Sequence, residues 1–110
     1  MRHYVIDQLS REERANIENY LKRTLLPGPV EGLYWIALPE DLLGTEQRGH
    51  DSCGPFFFAV ELEDESVHFE LLVRSKTNLH CSCISYATPA QRDFVLRIAD
   101  RMVEEEKIRA

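Results

Sequence analysis

The chain has 110 residues, 44% of them hydrophobic and 29% charged, the size and balance of one globular domain that can bury a core without disulfides or metal. Nineteen acidic residues against thirteen basic ones give a formal net charge of −6, which works against generic affinity for phosphate backbones, so nucleic acid is not an expected partner. No apolar run approaches the ~20 residues needed to span a bilayer, and Asp7 interrupts the N-terminus before a signal-peptide core can develop, so a cytoplasmic chain with no membrane partner is expected.

The first helix is predicted at about residues 10–26. Ser10 and Glu13 form a capping-box pattern with Leu9 at the staple position, and Ile17, Tyr20, Leu21 and Leu25 follow at helical spacing. Glu18 and Lys22 make an exposed i,i+4 pair, and Pro27-Gly28-Pro29 stops the helix. Val30 to Leu38 then reads as a strand with two apolar faces, Leu33, Trp35 and Ala37 on one and Tyr34, Ile36 and Leu38 on the other. Pro39 ends it.

Residues 39–55 carry a short helical turn near Glu40–Leu43 and then the longest irregular stretch, where recognition is expected to sit. A hairpin follows. Phe56, Phe58, Val60 and Leu62 alternate with Phe57, Ala59, Glu61 and Glu63; beyond the turn at 64–66, Val67, Phe69, Leu71 and Val73 alternate with His68, Glu70, Leu72 and Arg74. Residues 75–78 read as another turn, and Leu79–Ala87 as a fourth strand. The last helix is predicted from Thr88 to about Glu106. Thr88, Pro89 and Gln91 supply a cap, a first-position proline and a capping-box glutamine, and Phe94, Val95, Ile98, Ala99 and Met102 supply the apolar stripe. Glu104-Glu105-Glu106 opposes the helix dipole, so fraying is expected there.

The expected fold is a single α+β domain over residues 1–110, a two-layer sandwich with a four-stranded, mainly antiparallel sheet and both helices on one face. The uncovered face would combine Phe57, Ala59, Leu72, Ile84 and Tyr86 with charged side chains, which suits the interface of a homodimer. A non-enzymatic interaction domain that self-associates there is the first functional expectation.

The alternative is a zinc domain. His50-x-x-Cys53 and Cys81-x-Cys83 provide four soft ligands from two places in the chain. A strand at 79–87 argues against it. Residues two apart on a strand project to one face but lie roughly 6.5 Å apart at Cα, whereas two sulfurs on one zinc must approach within about 4 Å. The same spacing disfavours a Cys81–Cys83 disulfide, so the favoured role of these cysteines is core packing.

A further alternative is acid–base catalysis by Glu61, His68, Glu70 and His80, all placed on the open face; nothing there supplies a nucleophile or oxyanion hole, and a cross-strand charge pattern explains them as well. Trp35 and Tyr34 could line a ligand pocket, although an aromatic pair on a central strand is usually core. Arg74 with Lys76 could grip an anion, although charged turn residues are commonly just solvated.

Overall fold

A computed structural model describes residues 2–109. It is α+β: seven short strands paired only antiparallel, and two long helices. In chain order these are β1 (His3–Ile6), α1 (Arg11–Thr24), β2 (Leu26–Pro27), β3 (Leu33–Ala37), β4 (Phe56–Leu62), β5 (Val67–Glu70), β6 (Leu72–Ser75), β7 (Ser85–Tyr86) and α2 (Pro89–Glu105). The strands run β1-β5-β4-β3-β2, with β6 pairing β4 further along and β7 added to β6.

Both helices start where expected. Ser10 Oγ accepts from the Glu13 N–H while the Glu13 carboxylate accepts from the Ser10 N–H, and Thr88 and Gln91 repeat the arrangement. Each box satisfies two amides that a helix start otherwise leaves orphaned. Ile17, Tyr20 and Leu21 from α1 join Val95, Ala99 and Met102 from α2 in one buried cluster with Tyr34, Ile36, Phe58, Val60, Phe69 and Val73 of the sheet. The alternation in β4 therefore sends one face of the sheet into the core, as its pattern predicts, and Tyr34 and Ile36 are the face of β3 that joins it.

The expected four strands are corrected to seven. β1 extends the sheet at residues where no strand is expected; Tyr4 pairs with Phe69 and Ile6 with Val67. α1 ends at Thr24 rather than near 26, because Leu26 precedes proline and is pushed into extended geometry, where it pairs with Trp35.

The strand expected at 67–74 is two strands. Val60 faces Phe69, but Phe57 faces Arg74, so this side holds two more residues than β4 between those points. Leu71 sits at the break, its N–H donating to the Arg2 carbonyl and its carbonyl accepting from the Ala87 N–H. Because two residues are inserted, the faces stay in phase and Val73 returns to the core.

The strand expected at 79–87 shrinks to Ser85–Tyr86. Upstream the backbone turns twice, with the Cys81 N–H donating to the Asn78 carbonyl and the Ile84 N–H to the Cys81 carbonyl. Asn78 Oδ1 takes the His80 N–H and Cys81 Sγ takes the Cys83 N–H. Side chains that bond neighbouring amides compete with a sheet ladder, and here they win.

Candidate metal centre

The 39–55 loop is held by two glutamines. Gln47, inside a polar run, is only 1% exposed and Gln91 is fully buried. Gln47 Nε2 donates to the Cys83 carbonyl (2.7 Å) and to Ser85 Oγ (3.1 Å), while its Oε1 accepts from the Gly44 N–H and from Gln91 Nε2. Gln91 Nε2 also donates to the Leu42 carbonyl, and its Oε1 closes the cap of α2 on Thr88. Among the described residues no buried side-chain nitrogen or oxygen lacks a partner, so this network is fully satisfied.

Within this frame, His50 and Cys53 bracket a single 3-10 turn at Asp51–Cys53, where the Cys53 N–H donates to the His50 carbonyl at 2.9 Å. Side chains three apart eclipse in that geometry, so imidazole and thiol project together. Cys81 and Cys83 sit on the second of the turns that replace the expected strand. The extended spacing that counted against them is therefore absent, and their thiols converge.

His50 Nδ1 lies 3.2 Å from Cys81 Sγ, and Cys53 Sγ lies 3.1 Å from Cys81 Sγ. All four ligand atoms, those of His50, Cys53, Cys81 and Cys83, fall within 4.8 Å of one another. Zinc–sulfur bonds of about 2.3 Å and zinc–nitrogen bonds of about 2.0 Å place tetrahedral ligands roughly 3.5–3.8 Å apart, so the cluster has the dimensions of such a site. The three cysteines are free. Cys83 and Cys53 belong to the core, while Cys81 and His50 are half-buried, so the cluster opens toward solvent on one side only.

The surrounding bonds favour a charged sulfur cluster. The Cys83 N–H donates to Cys81 Sγ at 3.3 Å and Asn78 Nδ2 to Cys53 Sγ at 3.8 Å. The Ser75 hydroxyl and Thr77 Oγ1 both donate to the Cys53 carbonyl, and the Asn78 N–H donates to Ser75 Oγ, fixing the backbone that carries the ligand. Hydrogen bonds from Cys83, and lesser ones from Cys53 and His50, pull the Cys81 thiol down to about 7. Burial first, then the neighbouring thiols, pushes Cys83 up to about 12. The bare cluster thus accepts one negative charge at Cys81 and resists another at Cys83. A divalent cation held by these residues would supply what that second ionisation needs.

The open-face residues fare differently. Glu61 and His68 are cross-strand partners, His68 bonds Ser66 Oγ and approaches Glu63, and the Glu61 carboxyl is raised chiefly by its hydrogen bond with Glu63. Glu70 is buried against Arg74, both carboxylate oxygens engaging the guanidinium. His80 is exposed on a turn, off the sheet, and no ion pair or hydrogen bond joins it to Glu70 among the described residues. Of the apolar set, Phe57, Ala59, Leu72 and Tyr86 lie on strands, whereas Ile84 lies in the turn before β7. Phe57 is only 4% exposed even on this face, because Trp35 and Lys76 cover its ring.

Gln47, Gln91, Ser75, Thr77 and Asn78 escape a reading based on ligand types alone. A glutamine in an otherwise exposed loop gives no sequence signal of burial, and residues 75–78 carry only the signature of a turn. Compared with known proteins, the chain matches no family model, no curated relative and no solved structure.

Proposed function

We propose that this chain is a zinc-binding domain in which His50, Cys53, Cys81 and Cys83 hold one structural ion. The observation that carries the reading is the convergence of four soft ligand atoms within 4.8 Å from two turns 28 residues apart, measured between Cys53 and Cys81. Three sulfurs and one imidazole nitrogen are a donor set that suits zinc above harder cations. Four protein ligands leave no open coordination position for a substrate, so the ion's work is structural.

Its effect is to clamp the 39–55 loop onto the segment leading to β7 and α2, presenting that loop as a rigid recognition surface in a non-enzymatic module. Three reduced thiols suit a reducing compartment. Self-association through the open sheet face has less behind it, since Phe57, one of the two aromatic side chains of that set, is already buried by its own chain.

Metal analysis of protein purified without added metal tests the reading. One zinc per chain, lost in Cys83→Ser and not displaced by magnesium or calcium at equal concentration, supports it. Less than about a tenth of an equivalent, with an unchanged Tm in chelator, removes it.

A further inference from the structure

Beside the sulfur cluster, on the open face of the sheet, lies a separate cleft of about 490 Å³. Its volume falls within the roughly 300–1,000 Å³ of small-molecule sites. Trp35 is exposed to it, turned away from its neighbour Tyr34, which is in the core. Pro27 and Pro29 form one wall, and Gly28 between them packs so tightly that its N–H bonds the Leu33 carbonyl at 2.7 Å. Leu79 forms the other wall with 70% of its surface exposed, the most exposed of the large hydrophobic residues described.

Two cations border this apolar space, and they are not equivalent. Arg74 is neutralised by Glu70, which takes two of its nitrogens. The Lys76 ammonium stands 4.5 Å from the Phe57 ring centre and 5.9 Å from that of Trp35, and no carboxylate pairs with it among the described residues. The cleft therefore offers a hydrophobic interior and one uncompensated positive charge at its edge.

We propose that this cleft binds a small carboxylic acid with an apolar body, the body between Trp35, Pro27, Pro29 and Leu79 and the carboxylate on Lys76. A phosphate monoester is the poorer match. It carries close to two charges at neutral pH and would need a second free cation, which Arg74 is not. The inference does not rest on the zinc reading, because none of the four sulfur-cluster ligands lines the cleft.

Trp35 is the single tryptophan, so its emission reports occupancy directly. The probes are benzoate and hexanoate, with benzyl alcohol and 1-hexanol as uncharged counterparts. Saturable changes are expected for the acids, with Kd in the ~0.1–1 mM range for such small ligands, and much weaker ones for the alcohols. Lys76→Met keeps the stem over Phe57 and removes the charge; acid binding should weaken at least about tenfold while the alcohols are unaffected. Leu79→Glu, at an exposed position that should leave the melting curve unchanged, should repel the acids. Equal binding of acids and alcohols, full retention of acid binding in Lys76→Met, or no saturable response to any probe would overturn the proposal.

Discussion

The side-chain amide of Gln91 donates to the side-chain oxygen of Gln47 across 3.1 Å, joining residues 44 positions apart in the chain. Through that bond the first turn of α2 holds the loop that carries His50 and Cys53, and Gln47 in turn holds the Cys83 carbonyl. The ligand loop, the second ligand pair and the helix start are thus one polar unit buried at the edge of the core. Gln47→Leu removes partners from the Cys83 carbonyl and the Gly44 N–H together. Each buried group left unpaired costs about 1–3 kcal/mol, so a loss of about 2–4 kcal/mol in denaturant unfolding is expected. A loss under about 0.5 kcal/mol would mean that water replaces the amide at no cost.

Zinc uptake by the apo protein should release protons, because thiols bind the metal only as thiolates. Calorimetric titrations in buffers of different ionisation enthalpy measure the number directly. Affinity should fall as pH is lowered through the neutral range, since protons then compete for the sulfurs. A pH-independent affinity would point to ligands other than cysteine.

Asn78 tests the hydrogen bonds around the site. Its Nδ2–H donates to Cys53 Sγ, and Asn78→Ala should weaken zinc binding by roughly tenfold with the four ligands untouched, the lower end of what outer-sphere partners contribute. Competition with a chelating dye reads this shift. Asn78→Asp should weaken binding further, because it places an acceptor against a charged sulfur.

Glu13 links stability to pH at the other end of the molecule. Its carboxylate accepts from the Ser10 N–H and from the Arg109 N–H, both at 2.9 Å, and these bonds, Ser10 first, hold its pKa below the usual carboxylate value. A lowered folded-state pKa contributes stability that is present above the unfolded value and lost as pH falls through the folded one. Wild type should therefore be more stable than Glu13→Gln at pH 7, and the two melting curves should converge in acid. A difference that persists unchanged below the carboxylate range would show that the bonds act without the charge.

Gly28 sets the turn that lines the cleft. A Cβ there would lie 2.6 Å from the Leu33 carbonyl oxygen and 2.9 Å from its carbon, backbone atoms that cannot rotate away. Gly28→Ala should cost about 1–3 kcal/mol and displace β2 from β3. Amide shifts concentrated at Leu26, Val30 and Leu33–Trp35 would locate the damage; uniform small shifts would argue against it.

Short-range chemistry was legible in the sequence. The two capping boxes, the helical stripes and the in-phase alternation of β3, β4 and β5 all depend on contacts a few residues apart, and each recurs in the structure. The ligand types were legible too, and the four-residue set His50, Cys53, Cys81 and Cys83 is the one that converges. The expected obstacle to it came from assigning a strand to Leu79–Ala87. Cysteine, isoleucine and tyrosine there suit a strand, but Asn78 and Cys81 turn the chain by binding amides at His80 and Cys83.

The sequence by itself determined the class of fold, the helix starts and which face of β4 enters the core, because periodicity and capping are local. Only the tertiary structure decided that the two ligand pairs meet, that Gln47 is buried, and that Phe57 is covered on the face expected to be open. Each of those outcomes depends on groups 19 to 44 positions apart, such as Phe57 with Lys76, Gln47 with Cys83 and Gln47 with Gln91. Neither residue type nor spacing encodes which turn packs against which; the register of the sheet and the satisfaction of buried amides do.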